Sequence, residues 1–180
     1  MQSRFKTIEY LKTGNSKQKR AFNTLKTLNV FEDLSHYTPI LTGTVPIEID
    51  LPESDLDIIC YCNNFQKFTT DLRLLYGHHL NFQVKTYAEG EFKDKAAVAV
   101  FNFNGFEIEI FGKNTPTEKQ NAYRHMLIEA QILNSHGPEF KLEIIRLKKN
   151  GFKTEPAFAK ALGLEGNPYQ ALLNLEQNTK

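Results

Sequence analysis

Asp55 and Asp57 stand two residues apart in the run Asp55-Leu56-Asp57-Ile58, inside an apolar stretch of strong β-propensity. Residues two apart in a strand share a face, so both carboxylates project together while Leu56, Ile58 and Cys60 pack on the other side. Side-by-side carboxylates repel, and a hard divalent cation such as Mg²⁺ or Mn²⁺ relieves that repulsion. Ten residues separate Asp55 from an upstream pair, Gly43-Thr44. A turn there lets the backbone approach a ligand closely and offers N–H groups and a hydroxyl to phosphate oxygens. These residue types suit metal-assisted phosphoryl or nucleotidyl transfer, which commonly adds a third carboxylate to its metal site. Phe106-Glu107-Ile108-Glu109-Ile110 offers two on one strand face. Glu109 is preferred and Glu107 is the alternative, because periodicity does not say which lies nearer the aspartates.

The elements that must position these groups follow from periodicity and punctuation. Helices are expected over 4–12 and 16–29, with Ser16 as N-cap of the second. A short strand over 37–42 runs into Gly43, and a Gly/Pro loop over 43–54 carries a further extended piece near 47–50. Strand 56–61 is followed by a helix over 65–76 closed by Gly77, then by strands over 81–87, 96–103 and 106–111. Asn104-Gly105 marks the last two strands as a hairpin. Helices are expected over 117–134, 138–149, 155–162 and 168–176, the first opening on a Thr117/Gln120 capping box. The fold class is therefore α+β: a mixed sheet flanked by helices over 1–116, with a C-terminal helical segment over 117–180 packed on it as one compact unit.

Composition fits an ordinary globular protein of 180 residues, 41% hydrophobic and 24% charged. The net charge of +1 gives no strong nucleic-acid signal. The basic stretch from Arg4 to Lys26 reads as a solvated helix face. Cys60 and Cys62 read as reduced and buried, and His78-His79 as a surface loop without further metal ligands. With no leader-like or membrane-length apolar run, a cytoplasmic location is the default.

At Gly43, Asp55, Asp57 and Glu109 the sequence resembles the nucleotidyltransferase superfamily that includes DNA polymerase beta and the aminoglycoside nucleotidyltransferases. That pattern is Gly-Gly or Gly-Ser, a spacer near ten residues, Asp-x-Asp or Asp-x-Glu in an apolar strand, and a later strand acid. Ser54 supplies the common Ser-Asp-x-Asp form, while Thr44 replaces the usual Ser or Gly and keeps a hydroxyl. More narrowly, GTVPIEIDLPESDLDIICY, EIFG and QNAYRHMLIE resemble a family of small uncharacterised bacterial proteins in that superfamily. The resemblance implies a nucleotidyltransferase-like fold, metal held by Asp55, Asp57 and Glu109, and a nucleotide held by Gly43, Thr44 and Ser54.

In the helix from Thr117, Arg124 is a candidate for reaching a triphosphate and His125 for acid-base work, although His125 and Glu129 also make an ordinary i,i+4 pair. Arg146, Lys148 and Lys149 suit the negative end of their helix and need no ligand. The expected activity is transfer of a nucleotidyl group from ATP or another nucleoside triphosphate to an unidentified hydroxyl acceptor. The alternatives are an inactive nucleotide- or protein-binding module, or a nucleotide hydrolase using the same metal site.

Overall fold

The computed structural model describes residues 2–87 and 95–176. Five strands form one mixed sheet: β1 (Ile40–Thr42), β2 (Leu56–Tyr61), β3 (Leu80–Tyr87), β4 (Ala96–Phe103) and β5 (Phe106–Lys113), in the order β1-β2-β5-β4-β3. All neighbours are antiparallel except β2 and β5, which run parallel with Asp57 directly beside Glu109. Asn104 and Gly105, both at positive φ, make the tight turn between β4 and β5.

Alternation along the strands divides the core into two clusters, one for each face of the sheet. Leu56, Ile58 and Cys60 join Ile108 and Ile110 against α1 (Ser16–Leu28), α2 (Val30–Asp33) and α3 (Phe65–Tyr76). The opposite phase of β2, represented by Ile59, meets the helical tail: α4 (Asn121–Lys149), α5 (Thr154–Leu162) and α6 (Pro168–Leu175). Ile40, Ile47 and Ile49 from the first half of the chain are buried in that second cluster. Asp55 and Asp57 share the phase of Ile59, so the carboxylates face the tail. Both cysteines are free and buried.

Several local expectations are corrected. The first expected helix is two 3-10 turns, Gln2–Lys6 and Glu9–Thr13, and Asn15 rather than Ser16 caps α1, exchanging hydrogen bonds with Gln18. The strand expected over 37–42 begins only at Ile40, because Ser35–Tyr37 is a 3-10 turn. In place of the expected extended piece at 47–50, residues 45–48 form a turn, with Glu48 at φ 61, and 49–50 are irregular. Gly77 ends α3 in ordinary right-handed geometry, its N–H donating to the Arg73 carbonyl. The Thr117/Gln120 box does not form. Thr117–Lys119 is a 3-10 turn, and the Gln120 amide turns inward to donate to the carbonyls of Cys60 and Thr115, both at 2.9 Å.

The two helices expected over 117–134 and 138–149 join as the two arms of α4, bent where Gly137 adopts φ 80, ψ −173 ahead of Pro138. That backbone region is nearly exclusive to glycine. The bend and the turn after α4 let Glu129, Lys148 and Glu155, from the first arm, the second arm and α5, line one wall. Residues 177–180 of the expected C-terminal segment lie outside the described residues.

Candidate active site

A cleft of about 710 Å³ opens between β2, β5 and the tail. Gly43, Thr44, Ser54, Asp55, Asp57 and Glu109 all line it. Gly43 ends β1 at φ 79, and a Cβ at that position would run into the Asp57 carboxylate. A glycine is therefore required twice over, by conformation and by the closeness of its backbone to the aspartate.

The loop over 43–54 is cinched back on itself, which explains the ten-residue spacer. The Thr44 hydroxyl lies 3.4 Å from that of Ser54, the Ile49 N–H donates to the Thr44 carbonyl, and the Leu51 N–H donates to the Ser54 hydroxyl at 2.8 Å. From outside, α1 pins the same loop. Gln18, fully buried, donates to the Val45 and Pro46 carbonyls, and Lys17 donates to the carbonyls of Leu51 and Pro52. Part of the basic N-terminal stretch thus fastens the loop, a role that composition alone does not reveal.

Burial and crowding raise the proton affinity of Asp57 and Glu109. Asp57 is pushed up to about 7, chiefly by burial and further by Asp55 and Glu109, with Lys148 opposing. Glu109 is raised by burial, then by Asp55 and Glu107. Glu107 is exposed and lies opposite Asn102, whereas Glu109 is half-buried beside Asp57. Among the described residues, no three or more His, Cys, Asp or Glu side chains are arranged to hold a metal ion. The fit to a cation is one of donor chemistry: an all-oxygen set, mutually repelling and partly desolvated, is what a hard divalent ion would neutralise.

The opposite wall holds residues that the sequence reading undervalued. Lys148, expected to serve only its helix end, lines the cleft and donates to the Ile49 carbonyl at 2.7 Å. Burial lowers its pKa against the pull of Glu129, Asp50 and Asp55. His125 and Glu129 are both buried and do not form the expected pair. The Nδ1 of His125 lies 3.3 Å from the Glu155 carboxylate, and its Nε2 lies 3.0 Å from the Tyr169 carbonyl. Burial is the largest single influence on the Glu155 pKa and would raise it, but the hydrogen bond from His125, a backbone hydrogen bond and the nearby His125 and Lys153 together outweigh it and hold the carboxyl below its ordinary value. Glu129 is pushed up to about 8 by burial and by Glu155. Arg124 does not line the cleft; its guanidinium pairs with Glu176 and reaches Asn121. A period-3.6 reading of α4 without its bend could not place Lys148 opposite Asp57.

Residues 23–175 match the family described as a domain of unknown function, DUF4269. The chain belongs to that family. No protein of curated function matches its sequence. Among solved structures, Cid1, described with RNA terminal uridylyl transferase activity, is similar at a TM-score of 0.54 and 12% identity, over 74% of this chain and 41% of that one. The Cid1 poly(U) polymerase with MgGTP bound gives 0.53 and 12%, over 72% and 41%. Cid1 with the UTP analog UMPNPP gives 0.51 and 15%, over 82% and 46%. This DUF4269 chain therefore has an α+β fold similar to nucleotidyltransferase polymerase cores, and it spans less than half the length of those proteins.

Proposed function

We propose that the protein is a metal-dependent nucleotidyltransferase, moving a nucleotidyl group from a nucleoside triphosphate to a hydroxyl acceptor. One observation carries this reading. The Gly43 backbone abuts Asp57, and Asp57 lies beside Glu109 on the adjoining parallel strand, all at the floor of one cleft. Asp55, Asp57 and Glu109 would hold Mg²⁺ or Mn²⁺, which when bound supplies charge neutralisation at the phosphates. Gly43, Thr44 and Ser54 offer backbone N–H groups and hydroxyls to the triphosphate, and Lys148 replaces Arg124 as the cation available to it. The acceptor oxygen forms its bond to the α-phosphorus while the bond to the bridging oxygen breaks, pyrophosphate leaves, and the hydroxyl proton passes to solvent. The fold shared with Cid1, whose structures carry MgGTP and a UTP analog, supports this reading. A cytoplasmic location belongs to the same proposal.

The second reading, a nucleotide-binding module without turnover, draws on the absence of a finished metal cage among the described residues. The test is the thermal midpoint with ATP, GTP, CTP and UTP, each with and without Mg²⁺, on wild type and Asp57→Asn. A ligand that binds only the native state raises the midpoint by mass action. A Mg²⁺-dependent rise with one triphosphate, absent in Asp57→Asn, is expected. No shift with any triphosphate at millimolar concentration would overturn the proposal.

A further inference from the structure

A second cavity, of about 280 Å³, shares no lining residue with the cleft. It opens where three parts of the chain meet: the 3-10 turn Gln2–Lys6, the turn over 45–48, and the bend of α4. Two of these parts also shape the cleft. The turn belongs to the loop that carries Gly43, Thr44 and Ser54, and the bend directs the arm that carries Lys148. That arm grips the loop at adjacent residues. Lys141 Nζ lies 2.7 Å from the Glu48 carboxylate, at the second cavity, and Lys148, about two helical turns on, donates to the Ile49 carbonyl at 2.7 Å, at the cleft. Glu48 needs such a hold, because its φ of 61 is a left-handed conformation uncommon for a residue with a side chain.

Charge and shape narrow the occupant. Three charged side chains line the cavity, Arg4, Glu48 and Lys141, and Lys141 neutralises Glu48. Arg4 is left over. Its guanidinium lies over the rings of Phe5 and Tyr10, 5.5 Å and 5.0 Å from their centroids, and pairs with no carboxylate among the described residues. Stacking occupies the face of the guanidinium and leaves its in-plane N–H fork, the geometry that receives a carboxylate. Phe5, Ile47 and Leu133 give the cavity an apolar wall. One uncompensated positive charge beside such a wall suits a monoanion, whereas a phosphate dianion brings a second charge that nothing there meets. The volume lies just under the range of about 300–1,000 Å³ usual for ligand pockets, so the molecule is small.

We infer that this cavity binds a small monocarboxylate with a short apolar body, its carboxylate on Arg4 and its body against Phe5, Ile47 and Leu133. The bound molecule touches the loop and the bend at once, and so braces the two parts that hold the cleft in shape. Because the cavity shares no residue with the cleft, this site stands whether or not the cleft transfers nucleotides.

The test is ¹⁹F NMR of three probes titrated with the full chain: 4-fluorophenylacetate, the neutral 2-(4-fluorophenyl)ethanol, and 4-fluorophenyl phosphate. The carboxylate signal is expected to broaden saturably, and the other two probes should bind more weakly. Arg4 is exposed, so Arg4→Gln should keep the wild-type thermal midpoint while raising the Kd of the carboxylate about tenfold or more, the loss expected for a charge-assisted hydrogen bond. Arg4→Lys, which keeps the charge and loses the fork, should recover only part of that affinity. Hydrogen exchange read by mass spectrometry gives the location: the carboxylate should protect peptides over 43–54 and 130–141 in wild type, with no such protection in Arg4→Gln and none over β3 and β4 in either. No saturable broadening at millimolar concentration, an alcohol or phosphate that binds as tightly as the carboxylate, an unchanged Kd in Arg4→Gln, or protection confined to other segments would each overturn the site.

Discussion

At Asp57, burial, the neighbouring Asp55 and Glu109, and the Gly43 backbone all press on one carboxylate. Removing its charge should relieve that pressure while destroying the site. Asp57→Asn is expected to match or exceed the wild-type midpoint without ligand and to lose at least about a hundredfold in Mg²⁺-dependent transfer, since even outer-shell changes cost 10–100-fold at metal sites. Gly43→Ala combines a positive φ with a clash against that carboxylate, and a denaturant titration should show a loss of about 1–3 kcal/mol. Glu129 makes a distinct pH prediction. Its carboxyl is raised from the ordinary 4.5 to about 8, so the native state holds a proton that the unfolded chain has released. The resulting stability is fully present below about 4.5 and is lost as pH rises through about 8. Midpoints measured from pH 5 to 8.5 should fall less in Glu129→Gln, which mimics the protonated form, than in wild type. An equal fall in both would remove Glu129 as the cause.

At the scale of elements, the strand register was partly legible from sequence and the long helix was not. Asn104-Gly105 announces the β4–β5 hairpin, and the alternation in Asp55-Leu56-Asp57 already puts both aspartates on one face. That β5 pairs parallel with β2, bringing Glu109 rather than Glu107 beside Asp57, is a long-range choice that no local pattern encodes. The same limit hid Lys148. Its approach to Ile49 depends on the bend at Gly137, and local periodicity could only assign it to a helix end. Gly137→Ala should expose that dependence. A Cβ there meets nothing within 4 Å, so the cost is conformational, about 1–3 kcal/mol, and should be accompanied by weaker triphosphate binding as the second arm shifts. A variant as stable and as active as wild type would show that the bend does not hold the wall.

Over the whole molecule, the sheet's two faces have separate coverings, and the second covering belongs to the tail. Ile40, Ile49 and Ile59 are buried against residues of α4, α5 and α6, so residues 1–116 alone would expose that cluster to water. A fragment ending at residue 116 is expected to lack a cooperative thermal transition, as followed by circular dichroism. A sharp transition near that of the full chain would show that the two parts are independent. No described helix is long and apolar enough to cross a membrane.

The measurement that bears most directly on the central claim is Mn²⁺ binding in the presence of a non-hydrolysable triphosphate, followed by the electron paramagnetic resonance of free Mn²⁺. Wild type, Asp57→Asn, Glu109→Gln and Glu107→Gln would be compared. Nucleotide-dependent Mn²⁺ uptake should be present in wild type and Glu107→Gln, and lost in Asp57→Asn and Glu109→Gln. Uptake that survives Asp57→Asn and Glu109→Gln, or that Glu107→Gln alone abolishes, would contradict the assignment of the site.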